Sequence, residues 1–225
     1  MDPANPPDTL GGGGVSSARV YRYWSLDGTL LGRPGPALNT NGNPGVFAAG
    51  KLGQCMHADG SSAALAVLQD VSELLPMNDV WATAFWFRQG VSKCAINMQD
   101  SSGNHMYCWV GYANPNQIWL YISEDGTAGL SLNRPTSPET SDGAWHHLCA
   151  SWNRITGTIN LWIDGVRTTA VRASTNGAHH ENATQFTMAI NGGTSADGSI
   201  DEVYYFLGEP TAAQVAALVA GYVPP

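Results

Sequence analysis

The sequence from Asp142 to Val166, DGAWHHLCASWNRITGTINLWIDGV, has the pattern of two β-strands joined by a tight turn. Its first apolar run, HHLCASW, is followed by the turn residues NRITG, and its second, INLWI, ends on Asp-Gly. Short alternating runs bounded by Asn, Gly and Asp are typical of an antiparallel hairpin. This segment therefore predicts a β-rich domain.

The same succession of strand and turn continues on both sides of the hairpin. FWFRQ, MYCWVGY and IWLYIS lie upstream, and FTMAI and IDEVYYF lie downstream, each followed or preceded by turn-forming residues. The 26 glycines, 13 prolines and 12% charged residues agree with this pattern, because turn formers are abundant and helix-favouring charged residues are scarce. We therefore expect an all-β chain of antiparallel strands.

The two ends of the chain differ from this body. Residues 1–18 are rich in proline and glycine, a composition typical of a flexible arm, and we expect residues 19–225 to form one domain. Near the other end, EPTAAQVAALVAGY predicts a short helix. Thr211 and Gln214 fit a capping box, the alanines favour helix, and Gly221 ends it.

The C-terminal half resembles the laminin-G-like and concanavalin-A-like jelly-roll family. The shared pattern is a Trp-His strand, a strand ending in Asp-Gly, and a G-x-I-D-E-V strand, which is GSIDEV at 198–203 here. YWSLDG and WATAFWFR are similar to earlier strands of the family, so the resemblance runs from about Arg19 to Gly221. It implies an antiparallel jelly-roll β-sandwich, concanavalin A-like, that binds sugars or surfaces.

Charge and hydropathy exclude two classes of partner. The net charge of −8 and the pI of about 5.0 are unfavourable for nucleic acid, and no run approaches the roughly 20 apolar residues that membrane insertion needs. The first residues also lack the pattern of a classical signal peptide. Assembly into a virus particle would reconcile a lectin-like fold with that absence, so we expect a location on a virion or an extracellular surface.

The four cysteines, Cys55, Cys94, Cys108 and Cys149, contain no Cys-x-x-Cys pair, which argues against a zinc or thioredoxin-type site. Each lies in an apolar run, where a free thiol acts as a small hydrophobic group. Two interpretations stay open at this point. The cysteines are either core thiols or disulfides, and Cys94 with Cys108 is the favoured pair because the two lie on opposite arms of an apparent hairpin.

Asp201 is the carboxylate with the clearest structural requirement. Alternation in SIDEVYYF predicts that it shares a face with Val203 and Tyr205, opposite Glu202, and a buried carboxylate needs hydrogen-bond donors or a cation. The family resemblance implies a structural Ca²⁺ held by Asp201 with Asp27. The metal-free alternative is that Asp201 accepts hydrogen bonds from the backbone of the first strand.

The adjacent histidines His146 and His147 follow Trp145 in the Trp-His strand. Consecutive strand residues project to opposite faces, so the pair cannot chelate one ion. We expect one imidazole to be hydrogen-bonded at the edge of the core and the other to be exposed.

Catalysis is not expected. Glycoside hydrolysis needs two carboxylates flanking the scissile bond, and the E-x-D-x-E string of the related glucanases is absent. Glu124, Asp125 and Glu139 lie in predicted turns, where acidic residues commonly initiate the turn. A hydrolase or lyase that uses these three residues is the less favoured alternative.

Aromatic residues alternate with aliphatic ones in several predicted strands. In QIWLYIS, Trp119 and Tyr121 share one face, and three aliphatic residues share the other. If the aliphatic set faces the core, the rings line an outer face, where they stack on sugars or pack against another protein. The candidate ligand-binding residues are Asn104, His105, Tyr107, Trp109, Trp119, Tyr121, Trp162, His179, His180 and Asn182.

These observations predict a non-catalytic module that binds carbohydrate or a surface glycan and is displayed on a phage or virus-like particle. The alternative is an architectural decoration or connector subunit, in which the arm and the aromatic faces contact other subunits of an assembly.

Overall fold

The computed structural model describes residues 18–28, 46–59, 64–68, 80–89, 93–100, 105–110, 117–123, 129–135, 140, 142–153, 155–171, 183–191 and 197–222. The predicted flexible arm over residues 1–18 lies almost entirely outside these ranges and stays a prediction.

Fourteen strands and one helix lie within the described ranges, and this confirms the all-β prediction. The strands are β1 (Arg19–Trp24), β2 (Val46–Ala49), β3 (Gln54–Asp59), β4 (Ala64–Leu68), β5 (Val80–Gln89), β6 (Lys93–Asp100), β7 (His105–Val110), β8 (Gln117–Ser123), β9 (Gly129–Pro135), β10 (His146–Asn153), β11 (Thr158–Ile163), β12 (Val166–Val171), β13 (Ala183–Asn191) and β14 (Asp197–Leu207). The helix is α1 (Ala212–Val219).

The strands form two antiparallel sheets. The first has the order β12-β11-β10-β5-β14-β3-β2, and β1 also pairs with β14. The second has the order β4-β13-β6-β7-β8-β9. The hairpin predicted from HHLCASW and INLWI is β10–β11, and Cys149 lies opposite Trp162 in its register. The fold is an all-β jelly-roll sandwich, as the resemblance implied.

The central strands of the first sheet, β5, β10, β11 and β14, are buried on both faces. On one face, aromatic and aliphatic residues of β5, β10 and β11 occupy matching register positions. Those fully shielded from solvent include Phe85, Phe87, Leu148 and Leu161. On the other face, Ala84, Cys149, Trp162, Tyr204 and Phe206 form a cluster with Val215 and Leu218 of α1. The helix therefore covers this second face of the first sheet.

Trp162 lies beneath this helix, so the prediction that it lines an exposed outer face is wrong. Its side chain is 2% exposed, and the Arg167 guanidinium lies 5.3 Å from its ring centroid. The alternation of Trp162 with Leu161 and Ile163 was correct, because the register places it on the opposite face from them. The prediction failed because α1 covers that face and shields it from solvent.

The helix begins as predicted, at a capping box. The Thr211 hydroxyl accepts a hydrogen bond from the Gln214 backbone N–H at 3.2 Å, and the Gln214 side-chain oxygen accepts one from the Thr211 N–H at 2.9 Å. Gly221, with φ of +85°, follows the helix end. In the part of the chain that is described, no helix is long and apolar enough to cross a membrane.

Two of the four cysteines, Cys55 and Cys149, are buried and are not in a disulfide, as the core-thiol interpretation expects. The register of β6 and β7 places Cys94 opposite Val110 and Cys108 opposite Ile96. Cys94 and Cys108 thus share a face of the second sheet but are not directly opposite. A disulfide between them stays a prediction.

Because α1 covers the first sheet through two buried side chains, we predict that Leu218→Ala lowers the free energy of unfolding by about 2–5 kcal/mol. Chemical denaturation measures this change. The matched control is Ile155→Ala, whose parent side chain is 69% exposed and whose effect should stay within about 0.5 kcal/mol. Equal effects of the two substitutions would contradict the proposed role of α1.

Candidate functional site

Strand β14 changes its neighbour partway along one edge. Residues 197–200 pair with β3, and residues 203–207 pair with β1, while the other edge of β14 pairs with β5 throughout. The register with β5 shifts between Asp201 and Tyr204, which is a β-bulge, and Glu202 adopts a positive φ of 51°. The two adjacent acidic residues of SIDEVYYF therefore lie where two strands meet a third.

The bulge changes the faces that simple alternation predicts. Asp201 lies opposite Trp86, Tyr204 opposite Ala84, and Tyr205 opposite Thr83. Since Trp86 and Ala84 are two residues apart on β5, Asp201 shares a face with Tyr204 and not with Tyr205. The prediction that Asp201 and Tyr205 share a face is wrong, because the bulge inserts one extra residue between them.

Asp201 is fully buried, as predicted, and its carboxylate is saturated with backbone donors. Oδ2 accepts hydrogen bonds from the N–H groups of Lys51 at 2.8 Å and Leu52 at 3.1 Å, and Oδ1 accepts one from Glu202 at 2.9 Å. The metal-free alternative expected donors from the backbone of the first strand. The donors Lys51 and Leu52 belong instead to the turn between β2 and β3. Burial, reinforced by the neighbouring Glu202, raises the pKa of Asp201 to about 7 despite these bonds.

Glu202 is also buried, and two tyrosines bind it, Tyr23 from the neighbouring strand β1 and Tyr204 from β14 itself. The Tyr23 hydroxyl donates to Oε2 at 2.5 Å, and the Tyr204 hydroxyl lies 3.2 Å from the same oxygen. Burial raises the pKa of Glu202, and the two hydroxyl bonds lower it only in part. This role of Glu202 was not predicted from the sequence. The signal for it was an adjacent Asp-Glu pair inside an otherwise apolar strand.

A second carboxylate holds the turn between β2 and β3. Asp27, just after β1, accepts a hydrogen bond from the Gln54 N–H at 2.7 Å, and the turn itself closes with a bond from Gly50 N–H to Gly53 C=O at 3.0 Å. A Cβ at Gly50 would lie 2.6 Å from Oδ2 of Asp201, and one at Gly53 would collide with Asp27. The close approach of both carboxylates therefore requires glycine at both positions.

Calcium prefers six to eight oxygen ligands, including carbonyl groups. No three His, Cys, Asp or Glu side chains of the described ranges are grouped so that they could hold a metal ion. The oxygens of Asp201 face N–H donors, and these bonds explain its burial without a cation. The calcium site at Asp27 and Asp201 stays a prediction that these contacts do not favour.

The two histidines of the Trp-His strand lie on opposite faces, as predicted, because His146 is opposite Phe87 and His147 is opposite Trp86. Both are buried, so the prediction that one of them is exposed is wrong. His146 bridges two carboxylates, with Nδ1 2.8 Å from Asp164 and Nε2 3.1 Å from Asp142. Burial alone would lower the pKa of His146, but these hydrogen bonds raise it above its ordinary value.

His147 lies in the same cross-strand row as Trp86 and Asp201. Its side chain is 0% exposed, neither ring nitrogen has a hydrogen-bond partner among the described residues, and its ring meets the Trp86 ring edge-on at 5.2 Å. The Lys51 ammonium lies 4.2 Å from the Trp86 ring centroid. Burial lowers the pKa of His147 to about 4, so the imidazole is neutral at pH 7.

The second sheet contains five of the ten predicted ligand-binding residues. The register pairs Tyr107 with Tyr121 and Trp109 with Trp119 across the β7–β8 hairpin. Directly paired residues share a face, and His105 shares it too because it lies two positions before Tyr107. This juxtaposition is the candidate site. Four of the predicted ligand-binding residues lie outside the described ranges: Asn104, His179, His180 and Asn182.

From the hydrogen bonds of Asp201 we predict that excess chelator leaves the midpoint of thermal unfolding unchanged. A metal that binds only the folded state stabilises it, so its removal would lower the midpoint. Melting curves with and without chelator test this prediction. A drop that added Ca²⁺ reverses, and added Mg²⁺ does not, would instead establish a calcium site.

His147 should make the fold less stable in acid. Because its folded pKa of about 4 lies below the ordinary 6.5, the unfolded chain binds the extra proton between these values, and this contribution to stability is lost as pH falls from 6.5 to 4. We predict that His147→Phe gains stability relative to the natural chain over this window, by up to ~3 kcal/mol.

Urea unfolding of both proteins across this pH range measures the difference. Asp201 contributes in the opposite direction, because its folded pKa is raised and its protonation below pH 7 favours the folded state. That contribution is present in both proteins and cancels in the comparison. A difference that does not change with pH would contradict the prediction.

Comparison with known proteins agrees with the architecture. Residues 59–216 match the family model of the concanavalin A-like lectin/glucanases superfamily. Among curated proteins, C-reactive protein of Xenopus laevis is 36% identical over 66 residues, which are 28% of this chain and 25% of that protein. The pentraxin-related protein PTX3 of Mus musculus is 30% identical over 104 residues, 44% of this chain and 27% of that protein. The matches span about a quarter of the length of these relatives.

Two solved structures show the same fold. One is domain 4 of AbnA, an extracellular arabinanase from Geobacillus stearothermophilus, in complex with arabinotriose, with a TM-score of 0.70, 20% identity, and coverage of 91% of this chain and 100% of that one. The other, botulinum neurotoxin type C, whose cell entry depends upon interaction with two ganglioside molecules, has a TM-score of 0.66, 14% identity, and coverage of 91% and 51%. Since the family model spans well over half of the sequence, the chain belongs to the concanavalin A-like lectin/glucanase superfamily.

Proposed function

We propose that this chain is a non-catalytic module that binds carbohydrate or a surface glycan through the second sheet. The observation that carries the proposal is the register of β7 and β8, which places four aromatic residues in two directly opposed pairs on one face. Tyr107 and Tyr121 form one pair, and Trp109 and Trp119 form the other. We name this group the aromatic quartet.

Aromatic rings at paired strand positions suit sugars for a physical reason. A ring presents a flat apolar surface to the C–H groups of a sugar, while neighbouring polar groups satisfy the hydroxyls. Asn97 is paired with Tyr107, and Asn133 is paired with Trp119, so each aromatic pair has an amide beside it on the same face. Amides both donate and accept hydrogen bonds, as sugar hydroxyls do.

The described strand positions around the quartet carry no acidic residue, and this favours binding over cleavage. No described strand position on this face of the second sheet is Asp or Glu, whereas glycoside hydrolysis needs two carboxylates. The adjacent acids Asp201 and Glu202 are buried and hydrogen-bonded, so they do not form an acid pair open to a substrate. Glu124, Asp125 and Glu139 lie outside the described ranges.

Proteins of the same fold support the proposal by analogy. Domain 4 of the arabinanase was solved with arabinotriose, and the botulinum neurotoxin interacts with gangliosides, so this fold presents carbohydrate-binding sites in other proteins. Display on a phage or virus-like particle, or at an extracellular surface, is a further part of the proposal, as are contacts with other subunits.

Glycan-array binding followed by titration tests the proposal. We predict that Trp119→Ala weakens binding to the glycan identified on the array by roughly tenfold or more, which corresponds to about 1.4 kcal/mol or more, because a stacking ring is lost. The matched control is Tyr222→Ala, which removes an exposed aromatic ring beside α1 and should leave the affinity unchanged.

A chain that binds no glycan and still joins an assembly would support the architectural alternative. Cleavage products released from a bound glycan would contradict the non-catalytic assignment. Equal losses for Trp119→Ala and Tyr222→Ala would exclude the aromatic quartet as the site.

A further inference from the structure

Resting on the proposed function, we propose that the face carrying the aromatic quartet selects neutral polysaccharides and discriminates against acidic ones. The register of the second sheet aligns the residues of this face in two neighbouring rows that cross all six strands.

The first row crosses the sheet through the tyrosine pair. Successive pairings connect β4 to β13, β6, β7, β8 and β9 in turn. The residues of this row are Val67, Thr187, Asn97, Tyr107, Tyr121 and Ser131. The row is polar on both sides of the tyrosines, with an amide and a hydroxyl on the β6 side and a hydroxyl on the β9 side.

The second row crosses the same strands through the tryptophan pair, two residues further along each strand. Its residues are Leu65, Ala189, Ala95, Trp109, Trp119 and Asn133. Alanine at the two positions beside Trp109 limits the bulk on that side, and an amide lies beside Trp119. Adjacent strands are about 4.8 Å apart, so the stretch from β6 to β9 spans about 14 Å, enough for more than one sugar unit.

None of the residues in these two rows is charged. The described residues of the same face that can carry a positive charge, Lys93 and His105, lie at strand ends, one row beyond the second and the first row respectively. A carboxylate or sulfate bound within the rows would therefore lose water without gaining a cation partner from the row residues, and burying an unpaired charge is costly. The amides and hydroxyls of the rows match the hydroxyls of a neutral sugar instead.

The described cations that contact aromatic rings lie on the first sheet or the turn that packs against it. Lys51 lies over Trp86, Arg88 lies 5.2 Å from the Trp145 ring centroid, and Arg167 lies over Trp162 and bonds Glu209 at 3.2 Å. The chain as a whole has a net charge of −8, which repels polyanions at long range. The uncharged residues of the two rows and the negative net charge of the chain thus both favour a neutral polysaccharide.

The test compares neutral polysaccharides (arabinan, xylan, β-glucan and mannan) with acidic ones (polygalacturonate, hyaluronan and polysialic acid) in binding to the full chain. We expect at least one neutral polymer to bind about tenfold tighter than every acidic one. We also expect its affinity to be unchanged between about 0.01 M and about 1 M salt, a range that shortens the Debye length from about 30 Å to about 3 Å.

An acidic polymer that binds as tightly as the neutral ones, or an affinity that falls steeply with salt, would overturn the inference and leave the proposed function intact. Failure to bind any polymer or array glycan would overturn the proposed function itself, and the inference with it.

A charge inserted into the second row gives a sharper test. Asn133→Lys should weaken neutral binding and create salt-sensitive binding of an acidic polymer. Ala216→Lys adds the same charge on the exposed side of α1 and serves as the control. An equal gain of acidic binding in the two variants would show that overall charge sets the preference and would contradict the inference.

Discussion

The structure depends on the hydrogen bonds between Asp201 and the backbone of Lys51 and Leu52. Along one edge, strand β14 pairs first with β3 and then with β1, and the bulge at Asp201 and Glu202 lies where the pairing partner changes. A buried carboxylate there supplies acceptors to the N–H groups of a turn that is in no strand ladder. Removing it would take away the acceptors of the Lys51 and Leu52 N–H groups at the point where β14 changes its neighbour.

We propose different roles for the two sheets because α1 covers the outer face of the first sheet. Helix α1 closes the outer face of the first sheet over Trp162 and Phe206, so the large rings there contribute to stability. The second sheet repeats the strand pattern with aromatic pairs at Tyr107–Tyr121 and Trp109–Trp119, whereas the described core cluster around α1 consists of first-sheet residues and Ala18. Similar sequence patterns therefore serve the core in one sheet and, as we propose, sugar binding in the other.

Much of the fold follows from the sequence, because short-range patterns determine it. The β10–β11 hairpin, the Thr211 capping box and the burial of Asp201 were all predicted from local residue types. The errors share a different origin. The faces of Asp201 and Tyr205 depend on a bulge, and the burial of Trp162 depends on a helix fifty residues away in the chain. The burial of His147 likewise depends on Trp86, which lies opposite it on β5. Contacts with elements that are distant in sequence leave no periodic pattern within a strand. Alternation alone therefore predicts which residues share a face, but it does not predict which face another element covers.

The Gln214 side chain, besides capping α1, donates a hydrogen bond to the backbone carbonyl of Ala18 at 2.6 Å, and Gly208 also approaches Ala18 closely. The polypeptide therefore enters and leaves the sandwich side by side, on the flank where α1 packs. Such adjacency lets a domain be spliced into a surface loop of a host without opening its core. The same contact joins the start of β1 to the C-terminal helix across nearly two hundred residues of sequence, so the first sheet is closed by both ends of the described chain.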